Sequence, residues 1–260
     1  GFNKYIIHLV TFTIMIRFIK MTLCGIYNVW FYTLMGTTII LFIPLFFITG
    51  SNEKLYTYFF WFVRNIWSTI ILYGMGLIPR IEYKEPFEKG KSYMLVANHK
   101  SMIDVFLMLK VSPAPFIFVG KTELLKLPIF GFFYKKFAIM VNRDSAESRK
   151  AVYGHAERRL SQGLGICIFP EGGVFGPEIK LAPFKNGAFR FSIDYKMPIV
   201  PISFVDCERR YPYHFAYDHY VGGPGYLRVR VHNHIITKEK SLEDMQNLKK
   251  EVYDVILSGL

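Results

Sequence analysis

Apolar and polar residues follow two different rhythms on either side of residue 80. From Ile26 to Ile48 the chain reads "IYNVWFYTLMGTTIILFIPLFFI", with Asn28 its only strongly polar member. A helix of that length, rising ~1.5 Å per residue, can cross a hydrocarbon core of ~30 Å. Pro44 predicts a kink near its end. A second apolar stretch, Leu55 to Ile78, is interrupted by Arg64 and Asn65. A charge at the bilayer centre costs roughly 3 kcal/mol or more, which disfavours spanning by this half. The pattern predicts an apolar two-helix membrane-binding segment, either a hairpin through the bilayer or two helices lying in one leaflet. A buried core hairpin explains a segment of this length less well.

Past Arg80 the rhythm shortens. Strands are predicted at "YMLVAN", "FIFVGK", "AIMVNR", "ICIFPEG", "PIVPISFV" and "LRVRVHNHII", with helices near 102–110, 147–161, 186–195 and 241–258. Strands alternating with helices give an α/β fold with a mixed, largely parallel sheet flanked by helices. The division expected is 1–79 for the membrane-associated helices and 80–260 for the α/β domain.

Composition strengthens the membrane reading. Residues are 52% hydrophobic and 17% aromatic, and mean hydropathy is positive at +0.23. The net charge of +12 asks for an anionic partner. A membrane surface explains it more economically than nucleic acid, because the most apolar segment is itself basic: Lys4, Arg17, Lys20, Lys54 and Arg64 face only Glu53 before residue 80. Arg17 and Lys20 before the apolar pair, with Arg80 and Lys84 after it, place both flanks on the cytoplasmic side. A cleaved signal peptide fits poorly with an apolar region this long. Cys24, Cys167 and Cys207 show neither even count nor metal spacing, which suggests a reducing compartment.

Candidate chemistry begins at "VANHKSMID", Val96 to Asp104. His99 and Asp104 meet only if the histidine lies in the turn ahead of a helix and the aspartate on its first turn, since i+5 falls about 140° around a helix. Such a histidine can take a proton from a hydroxyl, with the carboxylate orienting it. The competing reading is a capping box, Ser101 as N-cap and Asp104 at N3. The two oxygens of the aspartate could serve both neighbours. "IFPEGGVFGP" brings Glu171, Gly172 and Gly173 to a strand end, where α/β sheets bind ligands. "VGKTELL" and "MVNRDS" place Lys121 and Arg143 at equivalent ends, and "FKNGAF" supplies Lys185. His232 and His234 share a strand face but lack a third ligand at a recognised spacing, so a metal site is not expected. For Tyr211, Tyr213, Tyr217 and Tyr220, packing of a long loop is the simplest role. His155 reads as an exposed helix residue.

That ordered series, from about Tyr93 to Phe204, resembles the PlsC-type glycerolipid acyltransferases, the lysophosphatidic acid acyltransferase family. "NHKSMID" looks like the N-H-x4-D block, implying His99 as general base and Asp104 as its partner. "GKTEL" and "VNRDS" look like the second block, implying that Lys121 and Arg143 hold phosphate or the oxyanion. "FPEGG" looks like the third, implying that Glu171 and Gly172 shape the acceptor pocket, with Gly173 and Lys185 as further acceptor-binding candidates. "IVPISF" looks like the fourth. The third block departs from F-P-E-G-T-R-S: Gly173 and Val174 replace the threonine and arginine, which bears on the acceptor headgroup rather than on the reaction class.

The resemblance implies acyl transfer from an acyl carrier protein or coenzyme A thioester to lysophosphatidic acid or a related lysolipid, with no cofactor, metal or nucleic acid. It also implies a cytoplasm-facing domain on the inner membrane. An amino-acid-containing lysolipid is the alternative acceptor. A non-catalytic membrane-bound binding protein is the alternative class.

Overall fold

A computed structural model describes residues 2–50, 52–121, 138–141, 146–213 and 222–260. Helix α1 (Phe2–Gly50) is one continuous element of 49 residues, about 73 Å long, running through Pro44. It starts well before Ile26, the first residue of the unbroken apolar run; Arg17 and Lys20 break the hydrophobic pattern there without breaking the helix. Its stretch Val10–Thr49 is long and apolar enough to cross a membrane, with a hydropathy of 2.1.

The two halves of α1 are packed differently. Phe12, Ile14, Phe18 and Leu23 are exposed, Phe18 to 70%. From Phe31 onward a face repeats inward through Met35, Ile39 and Phe46, all buried. That face meets a second helical stretch, α2 (Tyr56–Phe62), a π-helical turn (Val63–Trp67) and α3 (Ser68–Gly74). Phe46 packs edge-on against Phe59, Phe62 and Trp67. The π turn falls on the polar interruption. Arg64 Nε donates to Ser112 O at 2.9 Å, at the C-terminal end of α4 (Ile103–Val111), where a helix carries partial negative charge. The charge that breaks the apolar pattern thus docks this helix onto the α/β domain.

Seven strands form one sheet among the described residues, in the order β1-β7-β6-β2-β5-β3-β4. They are β1 (Leu77–Tyr83), β2 (Met94–Ala97), β3 (Phe116–Lys121), β4 (Ala138–Val141), β5 (Gly165–Ile168), β6 (Ile199–Phe204) and β7 (Gly225–Val231). β1 begins at Leu77 and straddles residue 80, so the sheet starts inside what the hydrophobic pattern assigned to the membrane segment. Pairing is parallel throughout except between β6 and β7. The C-terminal ends of β2, β3, β4, β5 and β6 therefore share one edge. The remaining α-helices among the described residues are α5 (Ala146–Ser161), α6 (Gly187–Asp194), α7 (Cys207–Arg210) and α8 (Met245–Ser258). Two buried clusters cover the two sheet faces. One combines β-strand residues with α1–α4, the other with Phe189, Ile193, Leu248 and Val252 of α6 and α8. All three cysteines are buried and unbridged.

The antiparallel junction is held by Asp206, which is 2% exposed. It accepts from Arg228 Nε and Nη2 at 2.7 Å each, from the Arg228 N–H at 2.9 Å and from Arg209 Nη2 at 3.1 Å. The Arg228 guanidinium holds its pKa down, to about 2. A depressed carboxylate pKa stabilises the fold above its unfolded value of ~3.9 and loses that contribution as pH falls towards 2. Asp206→Asn is expected to cost about 2 kcal/mol at pH 7, and the gap from the parent should close between pH 4 and 2. Denaturant midpoints measured across that range check it; a gap independent of pH would rule the ion pair out as its cause.

Candidate active site

β2 is fully buried at the centre of the sheet, and the chain leaves it at the shared edge through Asn98. The Asn98 side chain stands in for a strand partner. Its Nδ2 donates to Phe204 O at 3.0 Å and its Oδ1 accepts from Phe204 N at 2.8 Å, joining the ends of β2 and β6. This fixes where the next residue emerges. His99 then lies in the turn ahead of α4, as the spacing requires. Its ring stacks on Phe169, centroids 4.2 Å apart at 17°, and is 20% exposed.

Asp104, on the first turn of α4, is completely buried. Its Oδ2 lies 2.9 Å from His99 Nδ1 and also accepts the N–H groups of Lys100 at 2.7 Å and Ser101 at 2.8 Å. Orienting and capping both occur, but through one oxygen rather than two. Because the carboxylate is acceptor-only when ionised, the pairing places the proton of neutral His99 on Nδ1 and leaves the lone pair on Nε2. A partly exposed nitrogen base at a strand edge is therefore ready to take a proton from outside.

Glu171 reaches the same place from β5, 72 residues away. It is 1% exposed, Oε1 accepting the His99 N–H at 2.7 Å and Oε2 the Ala182 N–H at 2.8 Å. Burial raises its pKa, opposed by those two N–H donors and by the nearby Lys100 and His99. The carboxylate expected to shape the pocket also tethers the backbone of the candidate base.

Gly172 adopts φ +80°, and a Cβ there would lie 2.7–2.9 Å from the Lys185 side chain. The positive φ favours glycine there, whereas the lysine tip could swing aside from a Cβ. Lys185 is exposed and brings its ammonium across Gly172, beside the Glu171 tether. Gly173 has no comparable constraint, its nearest neighbour for a Cβ being Phe175 at 4.0 Å. Lys121 closes β3, its backbone paired with Val141. Arg143 lies outside the described residues.

Pattern reading missed Lys100. It is 4% exposed, and its Nζ donates to the carbonyls of Gly176 at 3.1 Å, Phe175 at 3.5 Å and Ile179. Lying between the two candidate residues, it carries no signal of its own in the sequence; buried, it pins the loop that follows the altered third block. His232 and His234 lie beyond the opposite edge. His232 Nε2 is 2.9 Å from Ser203 Oγ, and the His234 ring packs 4.8 Å from Tyr93. His155 is exposed.

Comparison with known proteins falls on this same edge. The family model described as Acyltransferase matches residues 79–205. The human 1-acyl-sn-glycerol-3-phosphate acyltransferase beta is 31% identical over 146 residues, covering 55% of this chain and 50% of the human protein. The 1-acyl-sn-glycerol-3-phosphate acyltransferase of Saccharomyces cerevisiae is 26% identical over 151 residues, covering 55% of this chain and 48% of its own. The chain matches about half the length of these relatives. The crystal structure of the 1-acyl-sn-glycerophosphate (LPA) acyltransferase PlsC from Thermotoga maritima superposes with a TM-score of 0.73 at 22% identity, covering 94% of this chain and 95% of that one. The motif series, the family model over residues 79–205 and the shared fold converge on one strand edge, and in that region the chain is similar to the acyltransferases.

Proposed function

We propose that this protein transfers an acyl group from an acyl carrier protein or coenzyme A thioester to the free hydroxyl of a 1-acylglycerol-3-phosphate, giving phosphatidic acid. The observation that carries the reading is the His99–Asp104 pair, 2.9 Å apart, with its remaining ring nitrogen at a strand edge shared with Gly172 and Lys185. Nε2 takes the proton of the acceptor hydroxyl as its oxygen attacks the thioester carbonyl. The C–S bond breaks, and the proton passes to the departing thiolate. Asp104 stabilises the imidazolium. Lys121 or backbone N–H groups steady the oxyanion, and Arg143 with Lys185 meets the phosphate. The relatives named as 1-acyl-sn-glycerol-3-phosphate acyltransferases support the acceptor class, and the exposed apolar half of α1 supports residence at a membrane, with the α/β domain on the cytoplasmic side. Val174 in place of the arginine of the third block favours, as a second reading, an amino-acid-containing lysolipid.

The test offers the purified chain, in phosphatidylcholine vesicles, acyl-coenzyme A or acyl carrier protein thioester with a panel of lysolipids. Thiol release with lysophosphatidate, and a product of the mass of phosphatidate, is expected. Release only with an amino-acid-containing acceptor would transfer the proposal to the second reading; none with any acceptor would defeat both.

A further inference from the structure

Asn28 is the one strongly polar residue in the most apolar run of the chain, and it is half-buried. Its Oδ1 accepts the Tyr211 hydroxyl at 2.8 Å. Tyr211 is 1% exposed, its ring 4.6 Å from that of Phe31 and 5.9 Å from that of Tyr27, both on α1. The Tyr211 carbonyl accepts the Ser101 hydroxyl, and the Tyr213 N–H donates to Lys100 O at 3.1 Å. Lys100 and Ser101 are the two residues whose N–H groups hold Asp104 Oδ2 against His99. An unbroken line of contacts therefore runs from the apolar helix, through one tyrosine, to the turn carrying the candidate base.

We propose that Tyr211 is a positioning residue that couples the seating of α1 to the geometry of the His99–Asp104 turn. The inference rests on the acyl-transfer reading for its kinetic consequence, though not for its structural one. Two further bonds show where α1 is seated. Tyr27 Oη donates to Met75 O at 2.9 Å and Trp30 Nε1 to Gly74 O at 2.8 Å, both at the end of α3. N-terminal to this, α1 carries exposed Phe12, Ile14 and Phe18, apolar surface that a bilayer would cover. A lipid surface thus grips the same rigid helix that presents Asn28. The polar atom inside the apolar run holds a tyrosine whose own carbonyl fixes Ser101. Removing the hydroxyl frees the 211–213 segment to shift, and a displacement of order 1 Å at a base can cost as much as ~10²-fold in rate.

The test compares Tyr211→Phe, Asn28→Ala and the double variant with the parent, each as the full chain in phosphatidylcholine vesicles. Tyr226→Phe on β7, where the tyrosine is exposed, is the control. Two readouts are taken. Amide exchange over residues 98–108 reports the Lys100 and Ser101 N–H bonds whether or not acyl transfer occurs. Kinetics report kcat and KM separately for the lysolipid. In Tyr211→Phe, exchange in that segment should quicken at least ~10-fold. kcat should fall ~10-fold or more while KM stays within about twofold. The melting temperature should hold within about 3 °C, and the double variant should be no worse than the poorer single one. Unchanged exchange in Tyr211→Phe and Asn28→Ala would overturn the coupling. So would additive losses, or a kcat loss matched by a general loss of stability. If the parent releases no thiol, the acyl-transfer reading fails, and the exchange data alone decide the coupling.

Discussion

Asp104→Asn lowers kcat by as much as ~10⁴-fold with little change in melting temperature; this is the largest effect expected of any single substitution here. The estimate comes from the serine-protease triad, where the same exchange keeps the geometry and spoils the tautomer. The structure supplies the reason to expect the two consequences to separate. Oδ2 carries two backbone N–H bonds as well as the imidazole. An asparagine can place its carbonyl oxygen there and keep the cap, so the stability cost should stay near 1 kcal/mol. What it loses is the negative charge that stabilises the imidazolium. His99→Ala should be about as inactive, and the double variant no worse, because residues acting as a unit are not additive. Rates with a coenzyme A thioester, taken beside thermal melts, check this. An active His99→Ala would end the base assignment.

Glu171→Gln is the second large effect, expected at ~10²-fold in kcat. Both oxygens of Glu171 accept backbone N–H groups, from His99 and from Ala182. The glutamine has one oxygen for two donors, and its amide nitrogen must face the other. An unsatisfied buried N–H costs roughly 1–3 kcal/mol, and either the base or the 182 segment moves. If the carboxylate met only the acceptor, the loss should appear in KM for the lysolipid with kcat preserved. Separate kcat and KM values distinguish the two roles. A wild-type kcat would return Glu171 to the pocket.

These two residues also show what a sequence can and cannot disclose. The His99–Asp104 relation was legible because it is local: five residues, a strand end and a helix start leave one geometry in which they meet. That the sheet is mixed and largely parallel was legible for a similar reason, through short apolar runs separated by helices, but the strand order was not. Glu171 was legible as a residue of interest, but its hold on the His99 backbone was not, since a carboxylate accepts from a backbone N–H 72 residues away as readily as it faces a ligand. The roles of Asn98 and Lys100 were hidden altogether, and Tyr211 was legible only as a residue that packs a long loop. Their partners are backbone atoms and a helix far off in sequence, and backbone atoms leave no compositional trace. β1 was masked by its neighbours, because Leu77 and Ile78 prolong an apolar helix pattern and its partner β7 starts at Gly225. The first half of α1 was missed for the opposite reason: its charges interrupt hydropathy but not helical geometry.

The buried cysteines bear on the route the acyl group takes. A thioester is open to exchange with any thiolate it meets, and a protein handling one risks acylating itself. Burial pushes the thiol pKa of Cys167 and of Cys207 well up, helped at Cys207 by the Asp104 carboxylate, and encloses both sulfurs within the fold. On the proposed chemistry these sulfurs offer the acyl chain no resting place between carrier and lipid. The proposed transfer is then a single displacement, donor and acceptor present together.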